Sequence, residues 1–248
     1  MEHIIFLLVM GFITAFVDSV AGGGGLISVP ALLSVGLSPH MVLGTNKLQG
    51  SIASISSSVA YIRSGKVNTQ LIKKIIPFVI LGAGLGVFTV KVLPSEWLKP
   101  IIIVLLILIL IYTFLKKDFG KHENPKPLTK GLVTYLIALS TIIGFYDGFF
   151  GPGTGSFLLF VFLSTGVNFV SAQANSKILN TTSNVVALII FIKFGYVNYL
   201  YGLIMAASGI VGAIVGTKVA VTKGSKFVKP LFFVMTVWLI FKQLLTYL

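Results

Sequence analysis

Two aspartates in strongly apolar segments are each followed within a few residues by glycines. Residues 16–25 read FVDSVAGGGG, and residues 145–155 read FYDGFFGPGTG. Glycine exposes its backbone N–H and lets a ligand approach closely, and a helix that starts after such a break points unpaired N–H donors at it. The pattern predicts an anion site at the two breaks. Its candidate residues are Gly22, Gly23, Gly24, Gly25, Gly151, Gly153 and Thr154.

Two lysines follow the breaks at equivalent distances. Lys47 ends the tetrapeptide GTNK, and Lys177 ends the tetrapeptide ANSK. A lysine at membrane depth is costly unless it is paired or hydrated, so each one is a functional hypothesis. In one interpretation the two lysines bracket an oxyanion; in the other they reach the membrane interface or neutralise the aspartates. The polar candidates for anion contact are Thr45, Asn46, Lys47, Gln49, Asn175, Ser176, Lys177 and Asn180, with Asn184 as a further liner.

The aspartates themselves, Asp18 and Asp147, have two plausible roles. A buried carboxylate holds a proton more readily than an exposed one, so either residue could carry a coupling proton. Alternatively, either carboxylate accepts hydrogen bonds from free backbone N–H groups and thereby holds the helix break. The sequence leaves both roles open.

Other kinds of site find little support. The chain has no cysteine, and His3, His40 and His122 are scattered without the spacing of metal ligands. No Ser/His/Asp cluster is present, and no strand precedes the glycines as a nucleotide-binding fold requires. We therefore expect no enzymatic activity, no metal site and no cofactor.

The composition indicates that the bilayer is the solvent. Of the 248 residues, 56% are hydrophobic and 10% are charged, whereas a soluble domain carries about 25% charged residues. The net charge is +13, but the lysines lie mostly between apolar runs, as the positive-inside rule predicts for cytoplasmic loops. The sequence thus predicts an all-α polytopic membrane protein, and it does not predict nucleic-acid binding.

The chain also contains an internal duplication, because several short segments recur at one offset. YIRSGKVN (61–68) matches FIKFGYVN (191–198), and LKP (98–100) matches VKP (228–230). We predict two homologous repeats of about 120–130 residues. They span residues 1–115 and 131–248, and a basic cytoplasmic linker joins them at 116–130.

Each repeat is predicted to contain the same elements, a broken or re-entrant first segment and three or four transmembrane helices, so that the chain has about eight transmembrane helices besides two short helical pieces. An apolar helix is followed by the break, a short apolar helical piece, a polar turn that opens a long helix, and two further apolar helices. The short pieces cannot cross a core about 30 Å thick at about 1.5 Å per residue. The predicted helices are 3–20, 26–36, 47–62, 72–93 and 98–115, then 131–148, 156–166, 177–193, 199–221 and 228–247.

The distribution of basic residues favours inverted repeats. If every repeat has four simple spans, the lysines and arginines of the loops divide eleven to six between the two sides. If each broken segment is instead a re-entrant hairpin, three full spans remain per repeat and the division becomes thirteen to four. The second arrangement obeys the positive-inside rule better, inverts the repeats as in many secondary transporters, and places both termini outside.

Small residues elsewhere are expected to serve helix packing. Gly82 and Gly86, like Gly212 and Gly216, have the small-xxx-small spacing of close helix contacts. The hydroxyl-rich run SIASISSSVA (51–60) is interpreted in the same way, with a polar pathway as the alternative.

Residues 11–54, GFITAFVDSVAGGGGLISVPALLSVGLSPHMVLGTNKLQGSIAS, resemble the N-terminal signature of the sulfite exporter TauE/SafE family. The resemblance extends over essentially the whole chain, including the duplication and the second-half motifs. It implies a transporter of small anions, such as sulfite and organosulfonates, in the cytoplasmic membrane of a bacterium or archaeon. The positions that match the family motifs are Asp18, Gly22–Gly25, Thr45, Asn46, Lys47, Asp147, Gly151, Gly153, Asn175 and Lys177.

The second half departs from the first at Pro152 and Thr154 and in having ANSK in place of GTNK. Two half-sites that differ in this way should not contact a substrate identically. We expect a secondary transporter that works by alternating access, whose partners are a small anion and the lipid bilayer. A homodimer is left open, and the alternatives are an anion channel or a membrane accessory protein.

Overall fold

The computed structural model describes residues 2–115 and 125–223, and all regular elements within them are helices. This confirms the all-helical prediction for the described part of the chain. The helices are α1 (Glu2–Ala21), α2 (Gly25–Ser34), α3 (Pro39–Arg63), α4 (Thr69–Val92), α5 (Ser95–Leu115), α6 (Lys130–Phe149), α7 (Thr154–Leu163), α8 (Phe169–Lys193) and α9 (Tyr199–Lys223).

Four of the described helices, α1, α4, α6 and α9, are long and apolar enough to cross a membrane. By contrast, α2 and α7 have 10 residues each, and a helix of that length is about 15 Å long. A helix of that length cannot cross a hydrocarbon core about 30 Å thick. The molecule is therefore a helical membrane protein with two half-length helices.

The order and the lengths of the helices agree between the two halves of the chain. Helices α1 and α6 have 20 residues each, and α2 and α7 have 10 each. Helices α3 and α8 have 25 residues each, and α4 and α9 have 24 and 25.

The prediction that the polar tetrapeptides form turns was wrong, because GTNK and ANSK lie inside α3 and α8. Helix α3 begins at Pro39 after Ser38, which is extended at φ −64° and ψ 154°, and proline is favoured in the first turn. Helix α8 begins after Asn168, whose side chain accepts a hydrogen bond from the Ser171 N–H at 2.8 Å, a typical N-cap. Lys47 therefore lies about two turns inside its helix.

The first helix of each half packs against the fourth helix of the other half. Helix α1 lies along α9, α6 lies along α4, and α3 crosses α8. Elements of the two predicted repeats thus interleave. The described part of the predicted linker, residues 125–129, precedes α6 as exposed chain. Residues 116–124 and the predicted helix 228–247 lie outside the described residues, and the repeat boundaries stay a prediction.

Glycines let these helix pairs approach, as predicted. A Cβ at Gly82 or Gly86 of α4 would overlap the carbonyl oxygen of Thr141 or Phe145 in α6. At the α1–α9 contact the corresponding overlaps are of Gly212 with the Phe12 carbonyl oxygen and of Gly216 with the Phe16 carbonyl oxygen. Backbone-to-backbone contact of this kind is how helices associate where no water drives them together.

The hydroxyl-rich run lies where α3 crosses α8. The Ser58 and Thr181 hydroxyls are 2.7 Å apart, and the Thr181 hydroxyl also donates to the Ser54 carbonyl oxygen at 3.2 Å. These hydrogen bonds join α3 to α8, and both interpretations of the run, close packing and a polar pathway, stay predictions.

Candidate functional site

The two glycine breaks contact each other. A Cβ at Gly22 would overlap the backbone of Gly155. The Ser156 N–H donates to the Gly22 carbonyl oxygen at 3.1 Å, and the Ser156 hydroxyl donates to the Ala21 carbonyl oxygen at 2.7 Å. Breaks that lie 129 residues apart in the chain are thus joined by hydrogen bonds.

Glycine is required at these positions because the backbone is left-handed. The φ angle is +76° at Gly22, +99° at Gly151 and +84° at Gly153, a region that side chains with a Cβ rarely adopt. A Cβ at Gly151 would also lie 2.8 Å from the Lys47 Nζ atom. The break therefore brings backbone close to a buried cation.

The two lysines form ion pairs that cross between the halves. Lys47 of α3 lies 2.8 Å from an oxygen of Asp147, in the last turn of α6. Lys177 of α8 lies 2.7 Å from an oxygen of Asp18, in the last turn of α1. Each lysine thus neutralises the aspartate of the other half. Pairing with the aspartates, one of the two alternatives for the lysines, is what the structure shows.

The two ion pairs are not equivalent. Lys47 and Asp147 are both 1% exposed, whereas the Asp18 side chain is 20% exposed. Lys47 also donates to the Asn184 side-chain oxygen at 3.1 Å, while Lys177 donates to the backbone oxygen of Asp18 at 2.6 Å. The second oxygen of Asp147 has no hydrogen-bond partner among the described residues. The second oxygen of Asp18 lies 3.4 Å from the Gly24 N–H, across the break.

A small cavity of about 30 Å³ lies between the breaks. A cavity of about 10–15 Å³ already holds one water molecule, so this one has room for about one or two. Both halves line the cavity, and both aspartates are among the lining residues. These are Thr14, Ala15, Asp18, Gly22, Gly24, Gly25, Asn46, Gln49, Gly50, Ala53, Asp147, Gly151, Gly155, Asn180 and Asn184.

The structure brings about half of the predicted site residues to this cavity. Those that line it are Asp18, Gly22, Gly24, Gly25, Asn46, Gln49, Asp147, Gly151 and Asn180. Gly23, Thr45, Lys47, Gly153, Thr154, Asn175, Ser176 and Lys177 are not among its lining residues. The lysines nevertheless reach its wall, because each is bonded to an aspartate that forms part of it.

Thr45 and Asn175 are engaged in joining the halves. The Thr45 side-chain oxygen accepts from the Asn198 N–H at 2.9 Å, and the Asn175 side-chain oxygen accepts from the Asn68 N–H at 2.8 Å. Asn198 and Asn68 in turn accept hydrogen bonds at the starts of α9 and α4. Each tetrapeptide therefore anchors the loop that enters the fourth helix of the opposite half.

The amide side chains near the cavity bond to one another. The Asn46 oxygen accepts from the Ser28 hydroxyl and, at 3.5 Å, from Gln49. The Asn180 oxygen accepts from Asn184 at 2.8 Å. These contacts hold polar groups of α2, α3 and α8 around one space.

The sequence reasoning missed Thr14, Tyr61 and Gln173. Thr14 lines the cavity. Tyr61 donates to the Ser19 carbonyl oxygen at 2.8 Å, and Gln173 donates to the same atom at 3.1 Å, so both hold the carbonyl end of α1. A signal existed for two of them, because Thr14 precedes Asp18 by four residues and Gln173 precedes Lys177 by four, a spacing that shares a helix face.

Comparison with known proteins agrees with the resemblance. The sequence model described as sulfite exporter TauE/SafE matches residues 7–242. A probable membrane transporter protein, ORF9, of Sinorhizobium sp. is 41% identical over 96% of this chain and 91% of its own length. Probable membrane transporter proteins of Haemophilus influenzae and of Escherichia coli K12 (YfcA) are each 36% identical over 93% of this chain, and over 90% and 85% of their own lengths. No solved structure matches the chain significantly.

Proposed function

Because the chain belongs to the sulfite exporter TauE/SafE family, we propose that it is a secondary transporter of small anions in a bacterial or archaeal cell membrane. Its substrates are sulfur-containing oxyanions or organosulfonates such as sulfite. The observation that carries this proposal is the pair of crossed lysine–aspartate contacts at the joined glycine breaks.

The anion binds at the breaks by taking the place of a carboxylate. Helices α2 and α7 begin there, so their N-terminal N–H groups and positive dipole ends favour a negative charge. Lys47 and Lys177 are each held by one aspartate and are available to an oxyanion once that contact opens. A cavity of about 30 Å³ is too small for an anion of several heavy atoms, so binding requires the halves to move apart.

Alternating access arises from two inverted repeats. Matching helix lengths and reciprocal contacts support this arrangement, since α1 packs on α9 as α6 packs on α4. The thirteen-to-four division of basic residues supports inversion. In such transporters one repeat rocks against the other around a site at mid-membrane.

Proton coupling belongs to the same proposal. A proton on Asp18 or Asp147 would remove the negative charge that holds the opposite lysine. The lysine would then have an uncompensated positive charge, which a bound anion neutralises. Proton uptake and anion binding would therefore favour each other.

The test is anion flux in proteoliposomes that contain the purified protein. Lys47→Ala and Lys177→Ala should each abolish sulfite or sulfonate flux, because an uncompensated aspartate would repel the anion. Lys193→Ala is the matched control, since Lys193 is exposed at the end of the same helix as Lys177. Unchanged flux in both site variants would refute the assignment of the lysines.

The same liposomes distinguish a transporter from an anion channel. A transporter predicts modest turnover and a steep dependence of flux on the proton gradient. The small cavity favours a transporter, because an open channel needs a continuous pathway. Flux that follows the anion gradient and voltage alone would favour the channel, and absence of flux from the purified protein would favour an accessory role.

A further inference from the structure

Three residues around the cavity contain buried oxygen atoms without partners. Within residues 2–115 and 125–223, the unpartnered buried side-chain atoms are Thr14 Oγ1, Gln49 Oε1, Ser51 Oγ, Ser140 Oγ, Asp147 Oδ2 and Thr217 Oγ1. Thr14, Gln49 and Asp147 line the cavity, and the other three do not. The exposed fractions of Thr14, Gln49 and Asp147 are 1%, 2% and 1%. An unsatisfied buried polar group is costly, so a cluster of them at one cavity requires an explanation.

The chemistry of these atoms suits a cation. A carboxylate oxygen and an amide oxygen only accept, and a hydroxyl can accept as well. An anion would satisfy neither the carboxylate nor the amide oxygen, whereas hard cations are bound by such oxygens. Asp18 and Asp147 also lie in the last turns of α1 and α6, and the C-terminal ends of broken helices carry partial negative charge that coordinates ions in transporters.

The acceptor cluster occurs once, although the chain is duplicated. At the offset that relates Asp18 to Asp147, the counterpart of Thr14 is Ile143, and at the offset that relates Lys47 to Lys177 the counterpart of Gln49 is Leu179. The two apolar counterparts cannot bind an ion. The first half therefore supplies two neutral oxygens, and the second half supplies the free carboxylate oxygen.

We propose that this cavity binds one small monovalent cation, such as sodium, through Thr14, Gln49 and Asp147. The volume of about 30 Å³ accommodates one ion. A divalent ion is disfavoured, because calcium takes 6–8 oxygens and magnesium keeps several waters, and the other oxygen of Asp147 is already bonded to Lys47. A proton on Asp147 is the alternative occupant, because a protonated carboxyl would itself donate one hydrogen bond inside the cavity, and the titration below distinguishes the two. The cation and a proton compete for Asp147, so this ion would be transported in place of a proton on that residue, and it is not a cofactor.

The position of the cation links it to the anion site, and this step rests on the proposed function. A cation on Asp147 Oδ2 competes with Lys47 for the same carboxylate, so it weakens the ion pair and frees Lys47 for an anion. The two lysines and two aspartates are neutral together, and the addition of one cation with one monoanion keeps them neutral. Cation and anion should therefore raise each other's affinity, as reciprocal coupling requires.

The experiment is a thermal-unfolding titration of the purified full-length protein in detergent, without any anionic substrate. Sodium chloride replaces N-methyl-D-glucamine chloride at constant ionic strength, so chloride is unchanged. We expect a saturable rise in Tm with sodium, since a ligand that binds only the folded state stabilises it. Thr14→Val and Gln49→Leu should weaken the apparent sodium affinity by about tenfold or more, because even indirect partners of metal ligands change affinity by 10- to 100-fold.

Matched controls separate the site from general effects on folding. Thr217→Val and Ser140→Ala remove buried, unpartnered hydroxyls that lie away from the cavity, and they should leave the sodium titration unchanged. A Tm that depends on pH but not on sodium would overturn the proposal in favour of a proton. A Tm independent of both would also overturn it. If the unsubstituted protein binds sodium but gives no anion flux in proteoliposomes, the transport function is refuted and the cation site is retained.

Discussion

At the scale of single residues, the Lys47–Asp147 contact places two opposite charges in the interior of the protein. Both side chains are 1% exposed, so each charge has lost its hydration. Such a pair gains little over apolar residues of the same volume, but removal of one partner leaves a buried charge uncompensated. The contact is therefore suited to a switch, since its stability depends on both charges being present.

This view predicts the outcome of a double-mutant cycle. Asp147→Leu should lower the free energy of unfolding by about 3–5 kcal/mol, because Lys47 is left buried without a counter-charge. Lys47→Met combined with Asp147→Leu should recover most of that loss, although it should not transport. Chemical unfolding in detergent measures both variants. If the double variant is as unstable as the single one, the ion pair is not the origin of the effect.

At the scale of helices, glycine contacts determine how closely the halves pack. Gly86 of α4 faces the backbone of α6, and a Cβ there would overlap the Phe145 carbonyl oxygen. The contact therefore has no room for a methyl group. Close backbone contact at this glycine therefore determines how α4 packs against α6.

A pair of substitutions in α4 tests this packing. Gly86→Ala should reduce stability by about 1–3 kcal/mol, because an extra methyl in a packed contact forces the backbones apart. Gly84→Ala is the control within the same helix, because its Cβ would meet only the Ile190 side chain, at 3.8 Å. Alanine there should be neutral or stabilise by up to about 1 kcal/mol, since alanine favours helix more than glycine. Equal Tm values for the two variants would contradict the packing argument.

At the scale of the whole molecule, the relation between the halves decides how the protein would work. Reciprocal contacts between α1 and α9 and between α4 and α6 are compatible with a rocking motion about the joined breaks. Inversion of the repeats would place equivalent helix ends on opposite faces of the membrane. The ends of α3 and α8, at Arg63 and Lys193, are such a pair.

Thiol labelling tests the inversion directly. The chain contains no cysteine, so single substitutions have no background. Arg63→Cys and Lys193→Cys, both at exposed positions, should react with a membrane-impermeant reagent from opposite sides of oriented vesicles. We expect Arg63→Cys to react from the cytoplasmic side, where the inverted arrangement places most basic residues. Reaction of both from one side would show parallel repeats.

The sequence by itself determined the features that depend on local composition. Apart from the starts of α3 and α8, apolar runs predicted the described helices to within a few residues. The glycines at 22 and 151 predicted the breaks, because only glycine readily adopts the left-handed backbone found there. It also indicated Asp18, Asp147 and both lysines as candidate functional residues, because charge in an apolar segment is costly. The starts of α3 and α8 were misplaced, because polar residues inside a membrane helix look like a turn until their partners are known.

Only the tertiary structure decided which of these residues meet. Lys47 pairs with an aspartate 100 residues away in the chain and Lys177 with one 159 residues away, and no local pattern specifies that crossing. Thr45 and Asn175 became anchors for loops of the opposite half, and Thr14 and Gln49 became lining residues of one cavity. The physical reason is that a buried polar group must find its partner wherever the packing of distant helices places one.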